Sequence, residues 1–157
     1  MDHRRRRARP GVLLLAALVT LTACSGSVTP EDLVTRLADE PTSEDALSDT
    51  MTPDEMDPAT ARRLGDLDGI VFYAGAGTRD GQDVVCLVTV VPGDTTQDDA
   101  GAATCGLVTD LDDSDLPLTY QDQETRGSAL LVPDGLPTDA DLTRLTPNLA
   151  AVVSRTP

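Results

Sequence analysis

Two cysteines in neighbouring strand-like segments constrain the fold of this 157-residue chain more than any other feature. Residues 84–91 are rich in valine and are followed by Pro-Gly-Asp, which is typical of a strand that ends in a turn. Residues 102–108 have the character of the returning strand, with polar residues 92–99 between them. We therefore predict an antiparallel hairpin in which Cys86 faces Cys105. That register also places Val88 opposite Ala103 and Val90 opposite Gly101.

The amino end has the pattern of an export signal. A run of arginines within residues 4–9 precedes an apolar run over residues 11–23. A basic run holds the amino end of a nascent chain in the cytoplasm. As a helix the apolar run spans only about 20 Å, whereas a bilayer core is about 30 Å thick. The pattern therefore indicates a signal peptide rather than a permanent membrane span.

The signal ends in Leu21-Thr22-Ala23-Cys24, which resembles the lipobox of bacterial lipoproteins. The resemblance implies that Leu21, Thr22 and Ala23 are read by a dedicated peptidase, and that the Cys24 thiol is alkylated with diacylglycerol. Residues 1–23 would then be removed, leaving Cys24 as the lipid-anchored first residue at the extracytoplasmic face of the cell membrane. Two alternatives are an ordinary secretory signal with a chance cysteine and an uncleaved anchor.

With Cys24 assigned to the lipid, Cys86 and Cys105 remain. Pairs of cysteines in exported proteins usually form disulfides because their environment is oxidising. A bond between these two closes a loop of about 20 residues and would stabilise the fold by roughly 3 kcal/mol. We predict a structural disulfide, since a metal site would need further ligands and a redox pair is normally closer in sequence.

Charge excludes some partners. Loss of residues 1–23 leaves seven basic and 26 acidic side chains, a net charge of −19. Such a protein is repelled by nucleic acid and by anionic lipid surfaces. Lys is absent, and Ile70 and Asn148 are each the only residue of their type. This composition is typical of a GC-rich, actinobacterium-like genome.

Residues 24–57 are predicted to form a mostly disordered acidic tether, because ten acids and few apolar residues favour disorder. About 30 extended residues could reach roughly 100 Å. One short helix is expected inside the tether, capped by Thr29. The stripe of Leu33, Val34 and Leu37 would dock on the chain's own domain or on a partner.

Residues 58–157 are predicted to form a small α+β domain with an antiparallel sheet, a few short helices and one disulfide. A helix should begin at Asp57-Pro58 and end at Gly65, and a second should follow Thr138 and carry Leu142 and Leu145. Turns are expected at Asp80-Gly81 and at Pro133-Asp134-Gly135. Further strands are predicted at residues 70–74, 118–121, 128–132 and 149–153.

Three short pieces of the domain, Val-Cys-Leu-Val around Cys86, Cys105-Gly106 and Val-Pro-Asp-Gly at residues 132–135, are similar to small secreted actinobacterial proteins of unknown function. The resemblance implies a similar fold and no particular activity.

Catalytic chemistry has few candidate residues. The single histidine, His3, lies in the signal and Lys is absent, so the usual bases for a serine or cysteine nucleophile are missing. We predict no catalytic residue, no cofactor and no metal ligand. A calcium loop would use the cluster of carboxylates at Asp110, Asp112, Asp113 and Asp115. Asp115, however, stands where such a loop needs glycine.

The sequence thus predicts a lipid-anchored, non-enzymatic interaction or binding module outside the membrane. Its predicted partners are the membrane, through Cys24, and another envelope protein. Alternatives are a solute- or calcium-binding accessory lipoprotein and, less favoured, a carboxylate-based hydrolase.

Overall fold

Eight strands form two antiparallel four-stranded sheets. The structure is a computed structural model that describes residues 27–121, 125–134 and 141–155. The first sheet has the order β1-β2-β3-β4: Arg62–Leu67, Ile70–Arg79, Gln82–Val91 and Ala100–Leu107. The second has the order β5-β6-β8-β7: Leu116–Gln121, Thr125–Leu131, Leu149–Arg155 and Thr143–Thr146. The helices are single turns: α1 (Pro30–Leu33), α2 (Val108–Leu111) and 3₁₀ turns at Thr35–Ala38, Ser43–Asp45 and Pro58–Thr60.

Alternation of apolar side chains places one core between the sheets. Side chains two apart on a strand share a face, so Ile70, Phe72 and Ala74 of β2 all point inward. Leu118 and Tyr120 of β5 face them in the same cluster. These side chains are fully or almost fully buried, and they hold the two sheets together by the removal of apolar surface from water.

The predicted hairpin register is confirmed. Cys86 pairs with Cys105, Val88 with Ala103 and Val90 with Gly101, and the Cys86–Cys105 disulfide joins Cα atoms 4.0 Å apart. The Asp80-Gly81 turn is also confirmed, with φ of 53° and 79°. Positive φ at both central residues is what a two-residue hairpin turn between twisted strands requires.

The predicted fold class is correct in part: the described residues have antiparallel strands, a few short helices and one disulfide, as expected, but they form two sheets rather than one. The helix expected from Asp57 stops after one 3₁₀ turn, and residues 62–67 form β1. Arg62 pairs with Ala74 of β2, so sheet pairing overrides local helix signals. Leu145 likewise lies in β7, whereas the proposed cap Thr138 is outside the described residues. The strands predicted at 118–121, 128–132 and 149–153 coincide with β5, β6 and β8.

Residues 27–57 differ from the expected disordered tether, because they pack on the sheets. The short helix capped by Thr29 is present as α1, and the stripe after it docks on the chain's own core: Leu33, Val34 and Leu37 are buried there. Met56 closes a second apolar cluster on the other face of the first sheet. The acids of this segment do not prevent packing, because several cap backbone turns or pair with arginine.

Candidate binding grooves

One groove lies where β1 approaches the turn between β7 and β8. We call it the side groove; its volume is about 550 Å³, within the range of small-molecule sites. The N-terminal segment forms one wall and β1 another. Both polar and apolar side chains line it: Thr35, Arg36, Asp39, Arg63, Leu64, Asp134, Thr146, Pro147 and Asn148.

Asn148 fixes the floor of the side groove. Its buried Nδ2 donates to the carbonyl of Val132 at 3.0 Å, to Asp134 Oδ1 at 2.9 Å and to the carbonyl of Leu33 at 3.5 Å. Buried amides are costly unless they are satisfied, so this side chain ties three separate chain segments together. Its being the only asparagine is the one signal in the sequence that could have drawn attention to it.

Asp134 completes the same junction. Its Oδ2 accepts from the backbone N–H and the hydroxyl of Thr35, and its backbone N–H donates to the carbonyl of Leu33 at 2.8 Å. Partial burial by itself would raise the pKa of Asp134, but the hydrogen bonds from Thr35 and Asn148 outweigh it and lower that pKa. The carboxylate therefore stays charged at neutral pH.

A second carboxylate, Asp45, anchors Arg36 from behind the groove. Burial acts to raise its pKa, but hydrogen bonds from Thr42 and from the backbone N–H of Arg63, with the charge of Arg36, lower it overall. The Arg63 N–H lies 2.7 Å from Asp45 Oδ1, and Arg36 Nη2 lies 3.2 Å from the same oxygen. This buried carboxylate therefore joins the N-terminal segment to β1.

Both guanidiniums of the side groove already have acidic neighbours. Arg36 Nη1 donates to Asp39 at 2.9 Å, and Arg63 donates to Asp66. The groove thus offers donors and acceptors of both signs without an excess of positive charge. Such a set suits a neutral or zwitterionic polar solute better than a multiply charged anion.

A separate concave region lies near the N-terminal end of the described chain and has a volume of about 600 Å³. Arg79 binds Glu55 there through two hydrogen bonds of 2.7 and 2.8 Å. These bonds lower the pKa of Glu55 and raise that of Arg79. We call this region the acidic end, after its five carboxylates: Glu31, Asp54, Glu55, Asp57 and Asp83.

The predicted cysteine pair lies in apolar surroundings, as is typical of a structural disulfide. Cys86 is completely buried within the second apolar cluster, beneath Met56 and beside Tyr73. Phe72 points into the main core instead, as expected for neighbouring residues on a strand. The disulfide therefore lies within an apolar cluster and pins β3 to β4.

The outer face of the second sheet is partly exposed among the described residues. Val152 on β8 is the only exposed large apolar side chain among the described residues. The side chains that the described strands place on this face include two arginines, although the chain as a whole is strongly acidic. They are Pro117, Thr119, Gln121, Arg126, Ser128, Leu130, Arg144, Ala150, Val152 and Ser154.

The acidic residues of the calcium alternative begin within α2, which contains Asp110, and continue into the loop after it; Asp110, Asp112 and Asp113 are exposed. Within the part of the chain that the structure describes, no three His, Cys, Asp or Glu side chains are grouped as a metal site requires.

The lipobox residues Leu21, Thr22 and Ala23 and the proposed lipid site Cys24 lie outside the described residues. Over residues 27–121, 125–134 and 141–155, no helix has the length and apolar character needed to cross a membrane.

The sequence did not reveal the candidate binding residues of the side groove, because Arg36, Arg63 and Asp134 are brought together only by the packing of the N-terminal segment.

Comparison of the chain with protein-family models, with curated proteins and with solved structures found no match.

Proposed function

We propose that this chain is a lipid-anchored, extracytoplasmic binding module without catalytic activity. The lipobox-like end at Cys24 supports the anchor, and the disulfide fits an oxidising compartment. The side groove is the observation that carries the binding role, because its polar groups converge on one concave surface. We propose a small zwitterionic or neutral polar solute, such as a short peptide, as its ligand.

The anchor is tested by the mass of the protein extracted from membranes. We expect a chain beginning at Cys24 with a diacylglyceryl adduct, and we expect Cys24→Ala to release the protein from the membrane fraction or leave it uncleaved. An unmodified cysteine in the wild-type protein, or unchanged behaviour of the variant, would refute the anchor.

The binding role is tested by thermal denaturation with neutral dipeptides as probes. A ligand at 100 times its Kd stabilises the folded state by about 2.7 kcal/mol, so the melting temperature should rise. Arg63→Gln should abolish the rise, since Arg63 lines the groove. Arg126→Gln is the matched control, because Arg126 lies on the outer face of the second sheet. Equal rises in both variants, or none in the wild type, would contradict this site.

A second candidate is contact with an acidic surface of another envelope protein. The outer face of the second sheet favours it, because Val152 is exposed there and an exposed arginine on the same face, Arg126, is hydrogen-bonded to the neutral Gln121. A photoreactive residue at position 152 should then crosslink one protein in native membranes, while the same residue at exposed Asp94 should not. Identical adducts at both positions would exclude this face.

A further inference from the structure

We infer that a lipid on Cys24 holds the folded body directly against the bilayer, with the acidic end facing the lipid. The inference rests on the proposed lipidation of Cys24 and adds to it a distance and an orientation. A disordered segment over residues 24–57 would instead let the body stand off by up to roughly 100 Å.

The folded part begins only a few residues after the proposed anchor. Val28 packs against the main core, and both the backbone N–H and the hydroxyl of Thr29 donate to Asp32 Oδ2, at 2.9 and 2.8 Å. Pro30 is buried. The chain is therefore fixed to the body from Val28 onward, and only Ser25, Gly26 and Ser27 separate that point from Cys24.

This short link limits the distance from the membrane. Four Cα–Cα steps join Cys24 to Val28, which is at most about 14 Å when fully extended. A diacylglyceryl group places Cys24 at the level of the lipid headgroups, because its two acyl chains are buried in the hydrocarbon. Val28 must then lie within about 14 Å of the headgroup layer.

The position of Thr29 sets which side of the body meets the lipid. Thr29 and Pro30 line the acidic end together with Asp54, Asp57 and Asp83. Asp83 stands near the start of β3, and the connection that follows β3 at residues 92–99 is at its other end. Eight residue steps along this strand measure about 26 Å. The two ends of β3 should therefore lie at clearly different distances from the bilayer.

The carboxylates of the acidic end also determine the lipid that suits this contact. Anionic headgroups repel them, whereas zwitterionic headgroups carry no net charge. The expected partner is thus a zwitterionic bilayer surface that the body touches without inserting. The apolar residues after Thr29, such as Leu33 and Val34, are buried in the core and unavailable to the lipid.

The test uses full-length protein, processed and lipidated in cells, in phosphatidylcholine vesicles that contain a headgroup nitroxide lipid. Asp83→Cys and Asp94→Cys each receive a fluorophore under non-reducing conditions; both native aspartates are exposed. The label at position 83 should lose more than about half of its emission, because the link is at most about 14 Å long. The emission of the label at position 94 should change little.

A linker variant supplies the control. Twenty Gly/Ser residues inserted between Ser27 and Val28 have an average span of about 25 Å, and they should reduce quenching at position 83 to the level seen at position 94. Weak and equal quenching at both positions in lipidated protein would overturn this inference and leave the proposed anchor intact. Absence of the lipid from the intact mass would overturn both.

Discussion

The two sheets differ in what covers their outer faces. On the outer face of the first sheet, Val84, Cys86 and Val88 of the central strand β3 are completely buried, whereas Val152 on the outer face of the second sheet is exposed. The cover over the first sheet comes from the chain itself, through the segment that contains Met56. The acidic N-terminal segment is thus a structural layer for one sheet, and the other sheet has no such layer among the described residues.

The apolar patterns of β3 and β5 reflect this difference. Residues 84–91 form an almost continuous apolar run, which is typical of a strand buried on both faces. Strand β5 alternates strictly between buried and exposed side chains, as a strand with one solvated face should. The continuous apolar run in β3 thus fits the finding that another segment covers its outer face.

Backbone contacts fix the covering segment in place. The Thr78 N–H donates to the carbonyl of Glu55 at 2.9 Å, and the Asp57 N–H donates to the carbonyl of Ala76 at 2.9 Å. Gly77 permits this approach, because a Cβ there would lie 1.8 Å from the Glu55 carbonyl oxygen. The segment before β1 is therefore hydrogen-bonded to β2, in line with β1 itself.

The largest expected effect of a single substitution is in the N-terminal segment. Leu33→Ala should lower the free energy of unfolding by about 2–5 kcal/mol, because it removes a buried side chain and leaves a cavity. Val152→Ala, on the open face, should change it by less than about 0.5 kcal/mol. Urea denaturation followed by circular dichroism measures both, and a Leu33→Ala variant as stable as the wild type would show that this part of the N-terminal segment adds no stability to the fold.

Removal of the disulfide should have the next largest effect. The double variant Cys86→Ala/Cys105→Ala should lose roughly 3 kcal/mol, the loop-closure value for a cross-link of about 20 residues. Denaturation of the reduced wild-type protein checks that the loss comes from the bond and not from the substituted side chains. A double variant as stable as the wild type would mean that strand pairing and the covering segment hold β3 and β4 together without the bond.

A methyl group at Gly77 should cost about 1–3 kcal/mol, since it overlaps the backbone at Glu55. Gly106→Ala is the matched control. Its Cβ would meet only side-chain ends, those of Leu116 at 3.1 Å and of Leu111 at 3.2 and 3.3 Å, and these can move more easily than backbone. Thermal unfolding should separate the two variants, and equal melting temperatures would argue against close contact at Gly77.

The last predicted effect is a pH-dependent change in the free energy of unfolding. Asp45 has a lowered pKa in the folded state, so its stabilising contribution is present above about pH 4, the range of an unperturbed aspartate, and is lost as the pH falls through the folded-state pKa. Asp45→Asn should therefore cost about 1–3 kcal/mol at pH 7, and the difference from wild type should shrink in acid. Asp94→Asn, at an exposed turn, is the control; a pH-independent difference for Asp45→Asn would contradict the role of its charge.

Local signals predicted the parts of the fold that depend on neighbouring residues. The hairpin register followed from Cys86 and Cys105, the turn from Asp80-Gly81, and α1 from Thr29-Pro30. The capping signal at Asp57-Pro58 was also valid, but only for one turn.

Long-range contacts account for what the sequence did not reveal. Residues 62–67 form a strand because β2 pairs with them. The acids of the N-terminal segment do not keep it disordered, because residues such as Asp32 and Asp45 have hydrogen-bond partners in the fold. The side groove depends on the same contacts, because Asn148 and Asp134 bind Thr35 and Leu33 from distant parts of the chain. Residue types alone carry no information on such pairings.

The claim that residues 27–57 belong to the fold is tested most directly by native-state hydrogen exchange. The amides of Asp57 and Thr78, which join the segment to β2, should be protected nearly as strongly as that of Cys86 in β3, because they should open only with global unfolding. Rapid exchange at Asp57 and Thr78, with Cys86 still protected, would show that the segment detaches from an independently stable domain and would contradict the account.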